Sequence, residues 1–145
     1  MSKEEIVNIM RNFREAFNNK DIKKSLSLFA EDALWINPNG EFKGRKEIER
    51  YLNWAFKIIP DQKLIESGVK IIAEEDRAVY EHIMEGSYEG LKFQVLALCI
   101  WEFKGNKIQQ TRTVFDRLAL AKQINKSKMG KIALNSIINQ MQKGL

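Results

Sequence analysis

Hydrophobic positions recur at three- and four-residue spacing from the start of the chain. Ile6, Ile9, Met10, Phe13 and Phe17 fall on one helical face. Ser2 and Glu5 have the spacing of a capping box that opens such a helix. Asn18-Asn19-Lys20 interrupts the stripe, and Asp21 is a good N-cap for a second, short helix with Ile22, Leu26 and Phe29 inward. Ala33 to Asn37 alternates briefly before a turn at Pro38-Asn39-Gly40. Gly44 leads into a third helix carrying Ile48, Tyr51, Leu52 and Phe56, which Pro60-Asp61 ends. The period then drops to two. Residues 69–74, 77–86, 91–103 and 107–116 read as strands, joined by turns short enough to make neighbours antiparallel. Beyond Asp116 the helical period returns at Leu118, Leu120, Ala121 and Ile124. Gly130 is expected to break that helix, and Leu134, Ile138, Met141 and Leu145 resume the stripe. The chain is therefore expected to be α+β, with three N-terminal helices packed on a curved antiparallel sheet and a C-terminal helical extension.

Turn lengths set an expected register. A two-residue turn at Gly105-Asn106 pairs Lys104 with Lys107 and, by strict counting, Trp101 with Gln110, Cys99 with Arg112 and Val95 with Asp116. A turn centred on Glu89-Gly90 pairs Val95 with Met84, Ala97 with His82 and Cys99 with Tyr80. Opposed side chains share a face. This register puts Tyr80, His82, Met84, Cys99, Trp101, Gln110, Arg112 and Asp116 together under the helices. Mostly apolar with a few converging polar groups, that face has the composition of a ligand pocket. The other face, with Leu96, Leu98 and Ile100, is too apolar for water and is expected to be a subunit interface or to be covered by the C-terminal segment. A one-residue error in turn length would exchange the two faces.

Composition narrows the classes. A chain of 145 residues with 44% apolar and 30% charged residues is read as one domain, a core at 3–116 and a basic extension at 117–145. Its 8 Gly, 2 Pro and single cysteine exclude collagen, low-complexity disorder and a disulfide scaffold. The longest apolar run, residues 95–101, is far too short for a membrane span, and Met1-Ser2-Lys3-Glu4-Glu5 is unlike a signal peptide, so a cytoplasmic setting is expected. The net charge of +5 suggests nucleic acid until it is located. Residues 1–116 hold 18 basic and 19 acidic residues, whereas residues 117–145 hold six bases and no acid. A neutral body without a basic, aromatic-interleaved face argues against nucleic acid. There is no phosphate loop, nucleophile elbow or His/Cys metal spacing, so neither metal nor cofactor is expected.

Several segments are similar to a known family. Phe29-Ala30-Glu31-Asp32-Ala33, Trp35-x-Asn37-Pro38 and Phe42-Lys43-Gly44-Arg45-Lys46-Glu47-Ile48 resemble the "FAEDA…P…F.GR.AI" stretch of SnoaL-like proteins. Gly105-Asn106-Lys107-Ile108 and Arg112-x-x-Phe115-Asp116 resemble their "GKI…R.YFD" ending. Glu85 to Gly90 sits where polyketide-cyclase relatives carry a glycine-bounded turn. The resemblance covers about residues 3–125 and extends to the nuclear-transport-factor-2-like superfamily, with its ketosteroid isomerases and limonene epoxide hydrolases. It implies a cone-shaped α+β barrel with a deep pocket, usually dimeric.

The superfamily hosts enzymes and non-enzymes alike. The ketosteroid isomerase tyrosine, base and protonated acid match Phe13, Asn37 and Cys99, none able to play those roles. Of the epoxide hydrolase set, Asp116 and Asn37 match, Trp35 replaces a tyrosine, and the Arg-x-Asp falls near His82 and Met84. In SnoaL-type cyclases the general base lies near the end of the last strand, and Asp116 is its match.

Three readings follow, one of which makes the basic segment 117–145 the working part, docking on a partner or an anionic surface; the other two concern the pocket. In one, an enzyme without cofactor performs isomerase, cyclase or hydrolase chemistry on an apolar, oxygen-bearing ligand, with Asp116 as base, His82 as proton partner, and Asn37 or Arg112 stabilising an oxyanion. In the other, the same fold binds a ligand or pairs two copies without catalysis. In both, Phe13, Phe17, Trp35, Tyr80, Met84, Cys99 and Trp101 are pocket wall or plain core, and the expected partners are a small apolar ligand and a second copy across the outer sheet face.

Overall fold

The computed structural model describes residues 1–144. Helix α1 (Lys3–Asn18) opens on Ser2, whose hydroxyl accepts from the Glu5 amide while the Glu5 carboxylate accepts from the Ser2 amide. Its inward stripe of Ile6, Met10, Phe13 and Phe17 is buried. Helix α2 (Ile22–Ser27) is capped by Asp21 and is followed by strand β1 (Phe29–Asn37), strand β2 (Gly40–Lys43) and helix α3 (Arg45–Ile58). Strands β3 (Lys63–Glu74), β4 (Arg77–Tyr88), β5 (Leu91–Lys104) and β6 (Lys107–Phe115) make the expected antiparallel meander, and helices α4 (Arg117–Ile124) and α5 (Lys128–Met141) close the chain. The sheet is open, in the order β2-β1-β6-β5-β4-β3.

The sheet has two more strands than local pattern reading expects. Strand β1 pairs antiparallel with β2 and parallel with β6. Phe29, expected on the second helix, begins β1 and is fully buried. Strand β3 starts six residues earlier than its alternation suggests, because Glu66 breaks the pattern. Glu66 stands opposite His82 in the ladder, where Arg14 and Arg11 of α1 meet its carboxylate at 2.7 and 3.2 Å. A register shift between Glu66 and Ile71, with Gly68 and Lys70 at positive φ, then bends the strand. The C-terminal break falls at residues 125–127 rather than at Gly130. The Ser127 hydroxyl accepts from the Gly130 amide inside the first turn of α5, and a Cβ on Gly130 would come within 2.2 Å of the Asn125 side chain. Leu145, the last position of the expected stripe, lies outside the described residues.

Phe13 is the keystone of the core. Its ring meets those of Phe29, Trp35 and Trp101 edge-on at centroid distances of 5.6, 5.7 and 5.1 Å, and Phe17 lies at 6.0 Å. One α1 side chain thus touches both β1 and β5. Phe13→Ala is expected to destabilise the fold by about 3–5 kcal/mol, read as a lower urea midpoint with an unchanged slope.

Candidate functional site

The β4–β5 ladder follows the expected register, with Met84 opposite Val95, His82 opposite Ala97 and Tyr80 opposite Cys99. The β5–β6 ladder does not. Lys104 pairs with Lys107 and Phe103 with Ile108, but Glu102 then pairs with Gln110, so β6 carries one extra residue at Gln109. From there Trp101 opposes Thr111, Cys99 opposes Thr113 and Ala97 opposes Phe115.

The bulge corrects two candidate positions. Arg112 stands opposite Ile100 on the outer face, where its Nη2 donates to Glu102 Oε1 at 2.5 Å. Asp116 is exposed, accepts from the Ala119 amide at 2.9 Å as the N-cap of α4, and borders an outer groove with Leu96, Leu98 and Val114. Strict alternation would have turned both charges inward, at a cost of several kcal/mol for each unpaired ion.

The inner face is filled at its helix α1 end. Phe13, Phe17, Trp35, Tyr80, Cys99 and Trp101 are buried core side chains rather than cavity wall. Trp35 Nε1 donates to Thr113 Oγ1 at 3.2 Å, and Cys99 Sγ lies 3.2 Å from the same oxygen. Burial pushes the Cys99 thiol up to about 12, so it carries no thiolate. Asn37 is buried, and its side-chain oxygen accepts from the Asn39 amide at 2.8 Å, which fixes the β1–β2 turn. His82 is 2% exposed and stacked on Tyr80 at 4.6 Å. Burial pushes its imidazole down to about 4, opposed by a backbone hydrogen bond at Tyr80, so it is neutral near pH 7.

The open space lies elsewhere. A cavity of about 260 Å³ sits between α3, α4 and the mouth of the sheet. Tyr51, Trp54, Ala55 and Ile58 line it from α3; Arg117, Leu120, Ala121 and Ile124 line it from α4; Met84, Tyr88 and Phe115 face it from the sheet. Asn39, Ile59 and Gln62 complete the wall. Of the residues expected to line a pocket, Met84 alone does so. Burial pushes the Tyr51 phenol up to about 12, opposed by its hydrogen bond with Asn39, so it stays a protonated donor. Gln62 is 7% exposed, a polar group held at an apolar wall. Among the described lining residues there is no carboxylate and no imidazole.

Tyr51, Trp54, Ala55 and Ile58 recur at helical spacing beside the core stripe of Ile48, Leu52 and Ala55. That second stripe is the sequence signal for the cavity. Leu120, Ala121 and Ile124 carry the same signal on α4.

A family model described as SnoaL-like domain matches residues 10–111, most of the chain. The chain belongs to the SnoaL-like domain family. Solved structures agree on the nuclear-transport-factor-2-like fold of this SnoaL-like chain. A putative polyketide cyclase from Xanthomonas campestris pv. campestris superposes with TM-score 0.78 at 16% identity, covering 85% of this chain and 98% of that one. An NTF2-like protein of unknown function from Burkholderia pseudomallei gives 0.77 at 19%, covering 86% and 99%. A protein with a ketosteroid isomerase-like fold from Catenulispora acidiphila, solved in complex with trimethylamine, gives 0.73 at 18%, covering 79% and 90%. The sequence has no match among curated proteins. Among the described residues no helix is long and apolar enough to cross a membrane.

The buried imidazole yields a sign-defined prediction. Its pKa is lower folded (about 4) than unfolded (about 6.5), so it contributes nothing to the pH dependence above pH 6.5. As pH falls from 6.5 to 4 the unfolded chain takes up the proton first, and stability declines. His82→Leu is expected to flatten that part of the stability profile in urea titrations, by about 3 kcal/mol at most.

Proposed function

We propose that this SnoaL-like protein binds a small, largely apolar molecule bearing at least one polar oxygen. The observation that carries this reading is the cavity between α3 and α4, apolar on most of its wall, with Tyr51, Asn39 and Gln62 among its lining residues as polar groups. That mixture fixes an apolar body and orients its oxygen. The Catenulispora acidiphila structure holds a small molecule on this fold, and the Xanthomonas protein is a putative cyclase, which supports a small-molecule role. Binding fits better than acid–base turnover by Asp116 and His82. The first caps α4 in solvent; the second is a neutral ring packed on Tyr80.

Methyl 2-naphthoate is a suitable neutral probe. Its titration is expected to shift the amide resonances of Trp54, Ala55, Ala121 and Ile124. Ala121→Trp, which fills the cavity, is expected to abolish the shifts while the protein stays folded. Unchanged binding to that variant would sink the reading.

The proposal extends to assembly. Leu96, Leu98, Ile100 and Val114 of the outer sheet face are 52%, 39%, 42% and 60% exposed, a contiguous apolar patch on two neighbouring strands. Such a patch on a soluble chain is commonly covered by a partner, and a second copy is the partner proposed. Light scattering is expected to give twice the chain mass for the wild type and the single-chain mass for Leu98→Glu, with unchanged circular dichroism.

A further inference from the structure

A second cavity, of about 380 Å³, adjoins the first and shares Asn39, Tyr51, Trp54 and Arg117 with it. Its other walls are Pro38, Phe42 and Arg50. Two arginines therefore line one hollow, and no carboxylate is among its described lining residues. Arg117 donates to the Pro38 carbonyl at 3.0 Å and forms no ion pair among the described residues. A guanidinium has five N–H donors in a planar fork, so this single bond holds the group in place and leaves other donors free. Arg50 is held by Glu47 at 2.7 Å and lies 5.6 Å from the Phe42 ring. The carboxylate next to Arg117 in sequence, Asp116, is engaged with the Ala119 amide.

The wall beneath the arginines is aromatic. Tyr51 stacks between Phe42 and Trp54, at centroid distances of 4.5 and 6.0 Å and interplanar angles of 27° on each side. Trp54, one of the residues that border both hollows, is 47% exposed. An indole left open to water beside two arginines is a surface that gains from being covered by a flat, charged group.

We propose that the ligand carries an oxyanion, carboxylate or phosphate, which Arg117 binds at the mouth of the apolar cavity with Arg50 beside it. This deepens the ligand-binding reading and rests on it. The apolar body occupies the inner cavity, the anionic head lies over Tyr51 and Trp54, and the free donors of the Arg117 fork engage two of its oxygens. An acidic small molecule is thereby favoured over its neutral ester or amide.

The test compares three probes with one apolar body by calorimetry: methyl 2-naphthoate, 2-naphthoate and 2-naphthyl phosphate. At least one anion is expected to bind about tenfold tighter than the ester, and the better one names the head group. Arg117→Gln is expected to remove that preference, Arg117→Lys to restore part of it, and 1 M salt to weaken the anions far more than the ester. If the ester binds and is lost in Ala121→Trp, yet neither anion binds more tightly, the oxyanion assignment fails and the ligand-binding reading stands. A preference that survives Arg117→Gln also overturns the assignment. If no probe binds the wild-type cavity, both fall together.

Discussion

A charged side chain turned into a closed interior must find a partner there or cost several kcal/mol. The β5–β6 ladder answers that constraint with one extra residue. Ile108 and Thr111 are both buried although three positions separate them, because Gln109 is accommodated as a bulge. Everything downstream changes face. Thr113 and Phe115 turn toward the helices, Arg112 turns out to meet Glu102, and Asp116 is left in solvent as a helix cap. Glu66 is the exception that follows the same rule. It stays on the inner side because Arg11 and Arg14 reach it from α1.

With charges kept out, the inner face is free to pack, and it packs unevenly. At the α1 end, four large rings close on Phe13. Toward the other end the sheet carries Met84 and Phe115, and the covering helices present Ala55 and Ala121, which are too small to fill the gap. The cavity opens where these two alanines stand between larger side chains such as Tyr51, Trp54, Tyr88 and Leu120. Half of its helical wall, from Arg117 to Ile124, lies beyond residue 111, where the family match stops. The family match thus spans most of the sheet and α3, while the α4 part of the cavity wall lies outside the matched residues.

Helix α1, its capping box, the β4–β5 register and the outer apolar face are all legible in the sequence, since each depends on spacing within one segment or across one short turn. The parallel pairing of β1 with β6 is not, because it joins residues about 75 positions apart with no turn to set their alignment. The bulge at Gln109 is legible only in retrospect. Ile108, Thr111, Thr113 and Phe115 cannot share a face under strict alternation, and the two inward charges that alternation demands are its warning. The cavity residues were hidden for another reason. Tyr51 reads as part of the core stripe of α3 and Trp54 falls outside that stripe, and only the position of α4 shows that both are cavity wall.

Placement also decides what chemistry the interior favours. The groups with the strongest perturbation are buried in their uncharged forms. His82 is pushed down, while Tyr51, Tyr80 and Cys99 are pushed up, each chiefly by desolvation. A base must ionise or take up a proton in contact with its substrate, and near neutral pH none of these four accepts one readily. Desolvation, the largest cause in each case, leaves these four interior groups in their neutral forms, which fits the proposed binding of an apolar, oxygen-bearing molecule better than proton transfer. Around the two hollows, charge is supplied by Arg117 and Arg50. A cavity wall without a carboxylate, beneath a rim with two arginines, is the arrangement that the proposed ligand, apolar at one end and acidic at the other, would match.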